Sequence, residues 1–264
     1  MKLRKTRSVV MFTVILSTLF AVTAFTPVTA SAAAKKKVYV ISDISIRDTS
    51  GRTVDHMKYS YNKNGLVTKR VWSQPGGSVS DSYQYDKSFH IKKQTTGEGG
   101  KKGSECKYIY KNGLLTECKD NYIAMGEKVT TFYEYNNKGQ LKKMEGDNTP
   151  ETTFKYNRKG LLKQKSELYN YEGAKPEKTT YKYDKKGNLK KIYLGKKLDR
   201  IYKNTYVKGT RRLKSVTVCY GNGRTICTCN ISYKTMKVSR AAAQAVSKQQ
   251  VQWTRDPVFT LFQM

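Results

Sequence analysis

The stretch YKYDKKGNLKKIY, Tyr181 to Tyr193, decides the fold. Aromatics at Tyr181 and Tyr183 fall on one face of an extended strand, because strand side chains alternate with period two. Asp184, two lysines and Gly187 then supply a turn, the glycine being able to take positive φ. Apolar residues resume at Leu189 and Ile192. The unit is therefore strand, turn, strand. A three-residue loop over Lys185–Gly187 sets Tyr183 opposite Leu189.

The pattern recurs upstream as YSYNKNGLV from Tyr59, YQYDKSFHI from Tyr83, YIYKNGLL from Tyr108, YEYNNKGQL from Tyr133 and FKYNRKGLL from Phe154. Weaker copies follow at YKNTYVKGTRRL from Tyr202 and in a last hairpin, VTVCYGNGRTICTCNISY, from Val216. The second aromatics of the clear copies, Tyr61, Tyr85, Tyr110, Tyr135, Tyr156 and Tyr183, are 24, 25, 25, 21 and 27 residues apart. That spacing suits a repeated supersecondary unit. In the third copy a two-residue Asn112–Gly113 turn sets Tyr110 opposite Leu115, so the aromatic-to-aliphatic pairing survives a change of loop length. The turn glycines are Gly65, Gly113, Gly139, Gly160, Gly187 and Gly223. The expected fold class is all-β: tandem hairpins over residues 57–235 in an elongated or curled antiparallel sheet or solenoid.

Tyrosine fills positions where phenylalanine would suit a dry core, with 20 tyrosines against 8 phenylalanines. A buried phenol without a partner costs roughly 1–3 kcal/mol, so the expectation is a thin sheet whose hydroxyls reach its margin or water. Lysines follow the apolar anchors in the same rhythm, at Lys142, Lys143, Lys163, Lys165, Lys190, Lys191 and Lys214. Stacked in register, alternate members of these pairs form a basic ladder on a sheet face.

The pattern Y-x-Y-[DN]-x-x-G-x-L resembles the YD (Rhs-type) repeat, most clearly at Tyr181, Tyr183, Asp184, Gly187 and Leu189 and at Tyr133, Tyr135, Asn136, Gly139 and Leu141. The resemblance implies a β architecture in a secreted or surface protein that binds carbohydrate or wraps a toxin. This chain departs from the family in its few copies and in the turn acid, kept at Asp86 and Asp184 but replaced by Asn62, Asn136, Asn157 and Lys111.

Lys2, Arg4, Lys5 and Arg7 precede an apolar stretch from Val9 to Phe25 and the small-residue segment TPVTASAAA. This is the pattern of a secretory signal over residues 1–32, leaving no integral membrane anchor after cleavage. Removing it takes four basic residues and no acid, so the full chain's +31 becomes +27. Such a charge attracts polyanions. An anionic cell-wall polymer or glycan of the teichoic acid kind is the expected partner, a protein partner is the alternative, and nucleic acid is expected to bind only unspecifically. A cationic toxin-like role is a third reading. Residues 33–56, with the alternating VYVISDISIRDTS, read as an N-terminal cap strand, and residues 236–264 as a short helix from Arg240 and a tail that covers the last hairpin.

Five cysteines in an exported chain leave one unpaired. Cys106 with Cys118 and Cys219 with Cys227 flank Asn-Gly turns and are candidate hairpin disulfides, with Cys229 left over or competing for Cys219. A strict two-residue turn places Cys106 and Cys118 on opposite faces, whereas a bulge brings them together. C-T-C at Cys227–Cys229 lacks a partner cluster, and His56 and His90 have no ligand spacing, so neither metal nor cofactor is expected. Acidic residues are dispersed without a pair for acid–base work, and GEGGKKG at Gly97–Gly103 lacks the strand–helix context of a phosphate loop. A non-catalytic binding role is the expectation.

Overall fold

The computed structural model describes residues 35–255 apart from positions 124 and 148, with side chains as far as Gln250. The expected signal segment and the tail beyond the helix lie outside the described residues. The chain opens with β1 (Lys36–Arg47) and continues as hairpins: β2 (Thr53–Tyr61) with β3 (Val67–Gln74), β4 (Gly77–Tyr85) with β5 (Ile91–Glu98), and β6 (Lys101–Lys111) with β7 (Leu114–Tyr122). Next come β8 (Glu127–Tyr135) with β9 (Leu141–Gly146), β10 (Thr149–Tyr156) with β11 (Leu162–Leu168), β12 (Glu177–Tyr183) with β13 (Leu189–Leu194), and β14 (Lys197–Tyr206) with β15 (Leu213–Tyr220). A long β16 (Thr225–Val238) leads into helix α1 (Arg240–Arg255).

These 16 strands form a closed antiparallel barrel. The sheet is neither an open solenoid nor a curled ribbon, because β1 pairs with β2 on one side and with β16 on the other. Closure removes the two unpaired edges that an open array of hairpins would expose.

Each hairpin pairs its second aromatic with the first aliphatic of the return strand: Tyr61 with Val67, Tyr85 with Ile91, Tyr110 with Leu115, Tyr135 with Leu141, Tyr156 with Leu162, Tyr183 with Leu189 and Tyr206 with Leu213. Both pairings derived from loop length, at Tyr183 and Tyr110, are present. A bulge follows every one of these aliphatics, leaving Thr68, Lys92, Thr116, Lys142, Lys163, Lys190 and Lys214 as extra residues on the return strands.

The seam between β16 and β1 obeys the same rule. Tyr233 pairs with Ile41, and Ser42 is the extra residue of a bulge. The eighth repeat is therefore split, its outgoing strand supplied from the C-terminal side and its return strand from the N-terminal side. The last hairpin read from the sequence, around Gly223, is instead the connection between two repeats, at the rim opposite the tyrosine turns. The phase slipped there because Tyr206 and Tyr233, not the residues flanking Gly223, hold the repeat positions.

The turns explain the variation at the acid position. The side-chain oxygen Oδ1 of Asp184 accepts from the amides of Lys186 and Asn188 at 2.9 Å each, and Asn62, Asp86, Asn136 and Asn157 make the same pair of contacts. One neutral or charged oxygen suffices, so Asn replaces Asp freely. Gly65, Gly139, Gly160 and Gly187 take φ between 68° and 84°, and Phe89 occupies the same left-handed position in the second copy at 67°.

The first aromatics, Tyr59, Tyr83, Tyr108, Tyr133, Phe154, Tyr181 and Tyr202, are buried in a core that runs round the inside of the barrel, and the second aromatics pack against it. The second tyrosines do not send their hydroxyls to water. Tyr85 donates to Val67 O at 2.8 Å, Tyr110 to Ile91 O at 3.0 Å, Tyr183 to Leu162 O at 2.7 Å and Tyr233 to Leu213 O at 2.9 Å. Tyr61 donates to Ile41 O across the seam. Each acceptor is the first aliphatic of the preceding repeat, so the hydroxyl latches one hairpin to the next. Burial pushes the hydroxyls of Tyr61, Tyr85 and Tyr110 above the usual phenol range, which keeps them protonated as donors. In the seventh repeat the Asn204 side chain takes Leu189 O at 2.9 Å, and Tyr206 bonds the Asp184 carboxylate instead.

β1 and β16 run past the other strands at the turn rim, and α1 folds back there. Val38, Val40, Leu66, Val238, Ala242, Ala245 and Val246 make a second apolar cluster. Gln249 donates to Tyr85 Oη at 3.0 Å, and Gln250 accepts from Ile41 N at 3.0 Å. The helix thus packs on β1, on the end of β16 and on the first turn. Its packing follows from the seam: the missing eighth turn leaves those apolar residues open at this rim.

Two outcomes test this architecture. Replacing Tyr183 by Phe leaves Leu162 O without its donor and is expected to lower stability by about 1–2 kcal/mol in urea melts. A chain starting at residue 48 keeps seven hairpins but exposes two edges, and is expected to elute as larger species in size-exclusion chromatography. A compact monomer with unchanged melting would show that closure is not required.

Candidate functional site

The register sorts the lysines by face. Residues paired with core aromatics point inward, and the alternate ones point outward. Lys58 and Lys69 lie on the outer face of β2 and β3, as do Lys93, Lys107 and Lys119, which follow one another across β5, β6 and β7. Lys143 is outward opposite Glu134, Lys155 opposite Gln164, Lys182 opposite Lys191, and Lys203 opposite Thr217. The bulge residues Lys92, Lys142, Lys163, Lys190 and Lys214 are exposed. They occupy one equivalent position in five repeats, so they form a belt near the turn rim.

Of the lysines expected to form a ladder, Lys143 and Lys191 lie outward and Lys142, Lys163, Lys190 and Lys214 are exposed at the bulges, and two of the seven need a closer description. Lys165 pairs with Phe154, faces inward, and bonds Glu167 at 2.8 Å. It stands three residues after Leu162, whereas Lys143 and Lys191 stand two after Leu141 and Leu189, so beyond the shared bulge it falls on the opposite face. Lys143 is outward yet bridges Glu145 at 2.7 Å and Glu151 at 3.1 Å, so its charge is locally balanced. Among the described residues, none of the five belt lysines at the bulges forms an ion pair.

The inner face holds a polar cluster that the sequence reading missed. Arg70 and Asp81 are cross-strand partners, and the guanidinium meets Asp81 Oδ2 through Nε at 2.8 Å and Nη2 at 2.5 Å. Asp81 Oδ1 accepts from Thr96 Oγ1 at 2.7 Å and Gln94 Nε2 at 3.2 Å, and Gln94 in turn accepts from Tyr108 at 2.8 Å. The network ties β3, β4, β5 and β6 together. Both carboxylate oxygens of Asp81 are engaged, so the cluster joins strands rather than presenting a free acid. Recognising it from sequence would have required knowing that bulges place Arg70 and Asp81 on the same face as Tyr59.

The cysteines divide. The bulge between Ile109 and Tyr110 sets Tyr108 opposite Cys118 and Cys106 opposite Asp120, which brings both sulfurs to the inner face, where they are bonded with a Cα separation of 6.3 Å. The second expected pair does not form. Cys227 lies opposite Val218 on the inner face, whereas Cys219 lies opposite Thr225 on the other, again because of a bulge. Cys219, Cys227 and Cys229 are buried thiols outside any disulfide. Cys229 neighbours Cys227 rather than Cys219; the hydrogen bond between them pushes the Cys227 thiol down and, with burial, the Cys229 thiol up.

The histidines serve local structure. His56 contacts the Asp43 carboxylate on the outer face. His90 closes the second turn through Asp86 at 3.1 Å and stacks on Tyr110 at a centroid distance of 4.6 Å.

No family model and no curated protein matches this chain. Among solved structures it is similar to porin-like proteins from Bacteroides uniformis (12% identity, TM-score 0.45) and Bacteroides vulgatus (10%, 0.39), covering 74% of this chain and 98% of each of those. It is also similar to the TcdB2-TccC3-Cdc42 structure, at 14% identity and TM-score 0.31, covering 75% of this chain but only 14% of that one.

Removing one partner of the buried ion pair, as in Asp81→Ala, is expected to cost about 3–5 kcal/mol. The double replacement Arg70→Met with Asp81→Leu should cost much less, and chemical denaturation of the two variants reads the difference.

Proposed function

We propose that this protein is an exported or surface-located, non-catalytic barrel that binds an anionic wall polymer or glycan of the teichoic acid type through its outer lysines. The observation that supports this most directly is the belt of Lys92, Lys142, Lys163, Lys190 and Lys214, which fills the bulge position in five of the seven hairpins and is backed by outward lysines on neighbouring strands. A linear polyanion running along the belt meets a cation at four successive repeats, from Lys142 to Lys214. The resemblance of the hairpins to YD repeats belongs to the same proposal, and the side-chain-capped turn at Asp184 and its counterparts supports it.

The outer face also argues against a lipid-spanning role for the barrel. Lys58, Lys107, Lys119, Lys182 and Lys203 lie within strands and point outward, and a lysine on a lipid face costs about 2–4 kcal/mol near the bilayer midplane. A belt of lysines in that position suits water and polyanions.

One observation favours a protein partner as a second reading. At the rim opposite the tyrosine turns, Tyr169, Tyr171 and Leu194 are exposed, Tyr171 by 65%. Aromatic and aliphatic groups of this kind anchor protein contacts.

Co-sedimentation of residues 33–264 with purified Gram-positive walls, before and after removal of teichoic acid and across a salt series, tests the proposal. Binding should fall with salt, vanish on stripping, and drop about tenfold or more when Lys142, Lys163, Lys190 and Lys214 are changed to Glu. Binding that survives both stripping and charge reversal would contradict it, and no binding to walls would move the reading to the aromatic rim.

A further inference from the structure

Two buried aspartates on the inner face of neighbouring hairpins have opposite surroundings. Asp81 is saturated by Arg70, Gln94 and Thr96. Asp120 is only 5% exposed, yet neither of its carboxylate oxygens has a hydrogen-bond partner among the described residues. Asn121 N–H and the Tyr122 hydroxyl offset part of the cost of burial without reaching hydrogen-bonding geometry, and burial still pushes the carboxyl above the usual carboxylate range. A buried polar group left in this condition calls for a physical reason.

Its neighbours supply one. Asp120 is the cross-strand partner of Cys106, and Cys118 sits two residues earlier on the same strand and face. The two sulfurs and a carboxylate oxygen all lie within 4.8 Å of one another, and all three residues are buried. Two thiolates and a carboxylate make a donor set for a borderline-soft divalent cation, with bonds of about 2.3 Å to sulfur and about 2.0–2.2 Å to oxygen. Tetrahedral bonding at that length needs the sulfurs about 3.8 Å apart, which the open dithiol permits and the disulfide does not.

We propose that the reduced Cys106–Cys118 pair and Asp120 bind one thiophilic divalent cation, with Zn²⁺ as the reference ion, and that the disulfide is the metal-free form of the same site. The exchange balances with a small dithiol as reductant: its two thiols become a disulfide as the Cys106–Cys118 bond opens to two thiols. The cation then displaces the two thiol protons and coordinates the Asp120 carboxylate, leaving a fourth position for water. The inner face of β6 and β7 becomes a redox-gated metal site, independent of the outer lysine belt.

Co²⁺ is the probe, added to residues 33–264 in oxidised and dithiol-reduced forms, with sulfur-to-cobalt charge-transfer absorption as the readout. Reduced protein should bind one Co²⁺ per chain with a thiolate band, displaced by Zn²⁺, while oxidised protein shows no band. Cys106→Ser should remove the band, Asp120→Asn should weaken binding tenfold or more, and Cys227→Ala with Cys229→Ala should leave it intact. No thiolate band in reduced protein, a band that survives Cys106→Ser, or full affinity in Asp120→Asn would each overturn the assignment. If reduction alone unfolds the chain, recovery of near-ultraviolet circular dichroism on adding Zn²⁺ supports the site, and failure to recover overturns it.

Discussion

The hydrogen bond from a second-position tyrosine to the backbone of the preceding repeat is the constraint on which the other features rest. A hairpin's own strands are paired by backbone bonds, but neighbouring hairpins need a reason to keep one phase. The tyrosine supplies it, because its ring packs on the core while its hydroxyl reaches one particular carbonyl, as Tyr183 does at Leu162 and Tyr110 at Ile91. Phenylalanine would fill the same space and leave that carbonyl unmet. Tyrosine at Tyr61, Tyr85, Tyr110, Tyr183 and Tyr233 thus follows from a backbone acceptor in the preceding repeat, not from contact with water.

The same latch carries the ring across its own termini. Tyr61 reaches back to Ile41, and Tyr233 reaches back to Leu213, so the seam is held by the same contact that Tyr85, Tyr110 and Tyr183 make at other junctions. Because each repeat also contains a bulge after its first aliphatic, the faces of the return strands are set eight times in the same way. That regularity sends most bulge lysines to the outside and leaves Arg70, Asp81, Cys106, Cys118 and Asp120 on the inside. One barrel wall therefore presents two chemistries, a basic exterior and a buried set of polar and sulfur groups.

The sequence made the hairpin legible, since Tyr183 opposite Leu189 and Tyr110 opposite Leu115 follow from loop length and strand period alone. Closure was not legible. It depends on Ile41 standing in for a residue that in every other copy follows a turn, and the alternation of VYVISDISIRDTS does not reveal a partner 192 residues away at Tyr233. The bulges were also hidden, and they account for the particular errors: Lys165 turned inward, Cys219 placed on the face opposite Cys227, and Cys106 brought beside Asp120. A one-residue insertion leaves no mark in composition, yet it decides the face of every side chain beyond it.

β1 and β16 pair as fully as the strands of the other seven repeats although no turn joins them, and native-state hydrogen exchange is the sharpest check of that closure. In a closed ring the paired amides of β1 between Ile41 and Ile46 exchange only with global unfolding, as slowly as those of β8 and β9 on the far side of the barrel. Exchange of β1 and β16 that is much faster than in β8, at a free energy well below that of global unfolding, would show an open sheet with frayed edges and contradict the account.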